Sequence, residues 1–172
     1  MTERTSSTDA AAPELTITRV FAAPRELVFK AWTELERLRQ WWGPQGFTWV
    51  TGTLDLRPGG VFHYGMRAPD GADLWGKFVY REVTPPERLA FVSAFSDAAG
   101  NTVRAPFSAT WPLEILNVLS FAEQEGRTTL TMQGYTVNAT EAERKTFAEW
   151  RDSVQQGFAG TFAQLDAHLA AA

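Results

Sequence analysis

The residues of this chain that could carry acid–base or metal chemistry are few and scattered. His63 and His168 lie far apart, cysteine is absent, and no ligand pair recurs at the short spacing of a zinc site. Neither a metal nor a cofactor is expected. His63 alternates out of phase with Phe62 and Tyr64, which sends its imidazole outward. His168 falls near the end of the last helical pattern, where an imidazolium would suit the helix dipole. An enzyme would need an acid, base or nucleophile from Glu82, Asp55, Tyr64 or Arg104, and these form no recognisable constellation, so no catalytic residue is assigned. Arg57-Pro58-Gly59-Gly60 has the composition of a phosphate loop but joins two extended segments and opens no helix, so it reads as a turn.

Two amides and a set of aromatic residues remain. Asn117 lies between Ile115 and Leu119 in an alternating segment, and Gln133 adjoins Met132, so either could reach inward. An inward Asn117 needs a partner, because burying an unpaired amide costs about 1–3 kcal/mol. Phe62, Tyr64 and Met66 share one face of an extended run, and Gly76, Phe78 and Tyr80 share one face of the next. Phe91 follows in a third. Trp150, Val154, Phe158 and Phe162 recur at helical spacing. Trp41 and Trp42 are adjacent and point about 100° apart on a helix, so one packs while the other faces a gap. Aromatic walls with a few polar groups make an apolar pocket, and these residues with Asn117 are its candidate lining.

The elements that must hold them follow from periodicity. Residues 1 to 13 are small and polar, a disordered leader, and the domain is expected over 14–172. Leu15 to Phe21 alternates as a strand. Pro24 then opens a short helix with Leu27, Val28, Ala31 and Trp32 on one stripe, and Thr33 with Glu36 forms the capping box of a second that Gly43-Pro44 ends. Strands are expected over 49–57, 61–67, 74–83, 88–95, 112–123 and 128–137, separated by turn sequences. Thr140 and Glu143 then cap one long amphipathic helix of roughly 30 residues, about 45 Å in length. Gly157 and Gly160 inside it each cost about 1 kcal/mol relative to alanine, so close approach, a bend or ligand space should offset them. This order, without parallel crossovers, specifies an α+β fold: a curved antiparallel sheet of about seven strands wrapped around the C-terminal helix, with two short helices between strands one and two.

Composition excludes several classes of function. The chain has 172 residues, a net charge of −4 and 44% hydrophobic residues. It is one domain with no basic footprint for nucleic acid, and it has neither a signal-peptide core nor an apolar run long enough for membrane insertion. A soluble cytoplasmic protein is expected. Leu113 to Ala122 is apolar on both faces, which implies cover on both sides or a homodimer contact, and the reading leans to the homodimer.

Five segments carry a resemblance: WWGP at 41–44, DLRPGGVF at 55–62, MRAPDG at 66–71, VTPPERLAF at 83–91 and GFAGTFAQLDAHL at 157–169. In this order they resemble the activator of heat-shock protein 90 ATPase homologue, C-terminal-domain-like family. That family belongs to the START-like, birch-pollen-allergen-like helix-grip superfamily. Phe158 departs from the pattern, where the family usually has tryptophan. The resemblance implies an internal cavity for a small hydrophobic ligand, lipid-like or aromatic, used by a carrier, sensor or sequestering protein. Some helix-grip relatives cyclise or dehydrate polyketides, so such an enzyme is the alternative. The family name also suggests a chaperone partner. The eukaryotic activators engage the chaperone through a further N-terminal domain that a 13-residue leader is not expected to supply.

Overall fold

The computed structural model describes residues 12–172; the expected leader falls mostly outside them, on residues 1–11. Elements run β1 (Leu15–Phe21), α1 (Arg25–Thr33), α2 (Leu35–Trp41), β2 (Thr48–Leu54), β3 (Val61–Arg67), β4 (Asp73–Thr84), β5 (Arg88–Ser96), β6 (Ile115–Gln124), β7 (Arg127–Thr136), α3 (Glu141–Glu149) and α4 (Arg151–Ala171). The strands form one antiparallel sheet in the order β1-β7-β6-β5-β4-β3-β2. This is the helix-grip architecture: the sheet curves around α4, and α1 and α2 close one end.

Register sorts the side chains between the two faces. Phe62, Phe78, Ser93 and Ile115 stand in one cross-strand row on the inner face, and Tyr80, Phe91, Asn117 and Gly134 stand in another. Strand period alone sends His63, Val79, Val92, Leu116 and Gln133 to the outer face. Leu116 and Val118 are there half-buried by their own sheet neighbours. Gln133, paired with Val118, does not reach inward. Bulges between Trp49 and Thr51 and between Tyr80 and Glu82 bend the edge strand β2 and the interior strand β4.

Two helix expectations change. Thr33 does not cap α2; it is the last residue of α1, where its hydroxyl donates to the Phe29 carbonyl at 2.8 Å, and Glu34 is the N-cap of α2, with no side-chain cap bond. A threonine that bonds back one turn is no longer available to the turn ahead. The C-terminal helix is not continuous. The Thr140–Glu143 capping box is present, but Trp150, at φ −96° and ψ 8°, divides α3 from α4. Val154 N–H still bonds Trp150 O at 2.9 Å, so the break is a bend and not a loop.

One end of α4 is pinned more firmly than the other. Near its C-terminal half, Thr161 Oγ1 donates to Gly43 O at 3.0 Å, Gln164 Nε2 donates to Gly43 O at 2.8 Å, and Arg19 pairs with Asp166 at 2.6 Å. Thr161, Phe162, Leu165 and Leu169 are buried, whereas Val154 and Phe158 are only half-buried. Fully burying a side chain such as Phe162 or Leu165 contributes about 1.5–3 kcal/mol, so the C-terminal half carries the packing. The N-terminal half stands over a gap.

Candidate functional site

The gap is a cavity of about 170 Å³ between the inner face of the sheet and the α3–α4 bend. It lies between the main core, which holds Trp32, Trp41, Phe78 and Phe162, and a smaller cluster of Leu15, Ala105, Trp111 and Phe147. Trp42, Tyr64, Phe78, Phe91, Asn117, Val154 and Phe158 line it, all read from the sequence as candidates.

The other candidates pack elsewhere. Trp41, 1% exposed, donates its indole N–H to Ala31 O at 2.9 Å and meets Trp32 edge-on. Phe62 is buried beneath Trp49, with ring planes 16° apart. Met66 lies against Gly43, where a Cβ would stand 2.3 Å from its sulfur. Tyr80 is buried beside Phe91, off the cavity wall, its hydroxyl without a partner and its pKa raised by burial. Phe162 packs among Phe21, Trp32 and Phe158 in the main core. Trp150, 38% exposed, turns outward and stacks on Phe107 at 5.1 Å. Its placement follows from the bend, which rotates Trp150 off the stripe that a straight helix would have given it.

Aromatic geometry sets the shape of the cavity. Phe78 and Phe91 stack at 3.9 Å with planes 12° apart, and Trp42 meets Phe78 edge-on at 5.2 Å. Tyr64 reaches across the sheet because Gly76 opposite it has no side chain; a Cβ there would stand 2.4 Å from the Tyr64 hydroxyl. Burial pushes the Tyr64 pKa up to about 12, opposed more weakly by the nearby Trp42 indole. Trp42 Nε1 nevertheless makes no hydrogen bond of proper geometry. Asn117, 6% exposed, donates from Nδ2 to Ser93 Oγ at 3.0 Å and Ile115 O at 3.1 Å, the protein partners that its burial demanded.

The titratable residues weighed from the sequence lie outside this wall. Asp55 pairs with Arg57 in the β2–β3 turn, and Glu82 pairs with Arg88. Arg104 pairs with Glu143 at 2.5 Å. His63 stacks on Trp75 at 5.3 Å, with Nε2 3.1 Å from Asp97 O. His168 lies in the last turn of α4, as expected. Burial, with Arg37 nearby, lowers its pKa, and its buried Nε2 has no partner. Among the described residues no three His, Asp or Glu side chains cluster as a metal site.

Sequence reasoning missed part of the wall. Ser93 and Phe95 share the parity of Phe91 and were accessible to that argument. Trp111 lies in the irregular β5–β6 connection, where no period marks it, and Pro112, expected to open a strand, lies there too because β6 begins only at Ile115. That connection closes the cavity against α3 and α4. Phe107 stacks on Trp150, Trp111 meets Phe147 edge-on, Thr110 and Thr146 share a 2.7 Å hydroxyl contact, and Arg104 reaches Glu143 and Trp111 O.

Residues 22–170 match the family described as Activator of Hsp90 ATPase homolog 1-like protein. The chain belongs to that family. Solved structures of the same fold include protein Ms6760 from Mycobacterium smegmatis, at 28% identity and TM-score 0.72, covering 90% of this chain and 88% of that one. A protein from Arthrobacter aurescens matches at 26% identity and TM-score 0.72, covering 91% and 86%. One from Staphylococcus epidermidis matches at 26% and 0.68, covering 90% and 88%. No functionally curated protein matches the chain. Among the described residues of this Activator of Hsp90 ATPase homolog 1-like chain, no helix is long and apolar enough to cross a membrane.

Proposed function

We propose that this protein binds a small hydrophobic molecule in the cavity between its sheet and its C-terminal helices, as a carrier, sensor or sequestering protein. The observation that carries this reading is the wall: aromatic and aliphatic side chains with Tyr64, Ser93 and Asn117 as its polar members. Size narrows the ligand. An apolar cavity of roughly 150 Å³ takes a benzene-sized guest, so about 170 Å³ suits one ring with short substituents better than an acyl chain. Binding is favoured over turnover because, among the described residues, Tyr64 is the only titratable side chain on the wall, and a phenol held near pKa 12 is a poor base at neutral pH.

Native mass spectrometry of freshly purified protein, followed by extraction of any released compound, tests this. A retained one-ring compound is the expected result. A clean unliganded mass, together with no rise in melting temperature across a panel of substituted benzenes, overturns the reading.

A further inference from the structure

The hydrogen-bonding groups of the wall are not all satisfied within the chain. Asn117 spends both protons of Nδ2, on Ser93 Oγ and on Ile115 O. The second contact fixes which way the amide points, because a backbone carbonyl can only accept. Asn117 Oδ1 is thereby left as an acceptor, taking no part in the two bonds that the side chain makes among the described residues. Ser93 Oγ is already engaged, since it accepts from Asn117 and donates to Ile115 O at 3.4 Å.

The Tyr64 hydroxyl is in the complementary position. The Trp42 indole approaches it with its own N–H, and among the described residues the phenolic proton is donated to no acceptor, so it is free to be donated to a guest. Burial keeps that proton in place, since the phenolate form is disfavoured. The wall thus offers the Tyr64 hydroxyl as a donor and Asn117 Oδ1 as an acceptor; the buried indole N–H groups of Trp32 and Trp42, on the same wall, have no partner within the described residues either, and the lining carries no charged side chain. A buried polar group lacking a partner is costly, and a buried charge lacking a counter-charge is more so.

We propose that the occupant is an uncharged compound of about one ring that carries both an O–H or N–H donor, placed against Asn117 Oδ1, and a carbonyl-type acceptor, placed against the Tyr64 hydroxyl. This rests on the cavity-binding reading and adds polarity to it. Purely hydrocarbon guests leave both groups unpaired, and carboxylates or amines bring a charge that nothing on the wall neutralises. Neutral hydroxyaryl ketones, aldehydes and amides satisfy every condition.

The test titrates the full-length protein, at a pH near 6.5, with three probes of similar size: 4-hydroxyacetophenone, 4-ethyltoluene and 4-hydroxybenzoate. Calorimetry and tryptophan fluorescence report binding. The hydroxyketone is expected to bind about tenfold more tightly than the hydrocarbon, the combined effect of two modest hydrogen bonds, and at least as far ahead of the carboxylate. Tyr64→Phe and Asn117→Leu should each narrow the gap between hydroxyketone and hydrocarbon, chiefly by weakening the hydroxyketone. Tyr64→Phe removes one oxygen and decides the matter alone if the Asn117 variant folds poorly. Equal or tighter binding of the hydrocarbon, or hydroxyketone affinity unmoved by Tyr64→Phe, overturns the polar occupant and leaves the cavity-binding reading standing. Failure of all three probes to bind overturns both.

Discussion

Trp41 and Trp42, adjacent in the chain, stand with ring planes at 88° and centroids 5.7 Å apart, and they serve different parts of the molecule. Trp41 ends α2, anchored to Ala31 O. Trp42, in extended backbone just beyond the helix, turns to Tyr64 and Phe78 on the cavity wall. Trp41→Ala should therefore destabilise the protein by about 3–5 kcal/mol, the usual range for emptying a buried tryptophan site. Trp42→Ala should cost less in urea denaturation but change ligand affinity more. Equal stability losses for the two variants would contradict this division.

Gly157 and Gly76 give opposite predictions. A Cβ at Gly157 meets nothing within 4 Å, and the residue sits inside α4. Gly157→Ala should stabilise by about 0.5–1 kcal/mol, visible as a higher urea midpoint with an unchanged slope. The expectation that a packing contact or ligand space offsets this glycine has no counterpart in the structure. At Gly76 the same methyl would stand 2.4 Å from the Tyr64 hydroxyl. Gly76→Ala must displace the tyrosine ring, so it should both destabilise the fold and weaken any ligand held by that hydroxyl. Unaltered binding by Gly76→Ala would show that Tyr64 is free to move aside.

What the sequence revealed was mostly local. The Leu15–Phe21 alternation, the Val61–Arg67 period and the Thr140–Glu143 box each depend on residues a few positions apart, and each element formed where expected. Trp150 shows where that reasoning ends. Its spacing belongs to the apolar stripe, yet the bend puts it on Phe107, a residue of the irregular connection that no helical period can foresee. Asn117 was legible as an inward amide, but its partner Ser93 comes from a neighbouring strand and needed the register. Trp111 reaches the wall from a segment without any repeat.

The latch between the β5–β6 connection and α3 should respond to acid. Glu143 accepts from Arg104, which is the main reason its carboxyl is held below the usual range, and the Thr140 backbone N–H adds to this. A carboxyl lowered in the folded state favours folding above its unfolded pKa, near 4.5, and loses that contribution as pH falls through the lower folded value. Glu143→Gln should therefore be less stable than the parent at pH 7, and the gap should narrow steadily below about pH 4.5. A gap independent of pH would mean that the carboxylate charge contributes nothing.

The stack of Phe107 on Trp150 bears on how a ligand leaves. Phe107 is 48% exposed, so Phe107→Ala removes little buried surface and should cost under about 1 kcal/mol. The ring nevertheless covers Trp111, a wall residue, from outside, with centroids 5.5 Å apart, and Trp150 meets both rings. Without it, Trp111 loses its outer support on that side of the cavity. Affinity changes in related complexes fall mainly on dissociation, so Phe107→Ala should raise the release rate of a bound one-ring probe severalfold, with association little changed. Trp150→Ala should do the same, and the double variant should add little, because both substitutions break one stack. Stopped-flow tryptophan fluorescence separates the two rates. Release rates unchanged in both single variants would place the exit elsewhere, at the end of the cavity nearer α2.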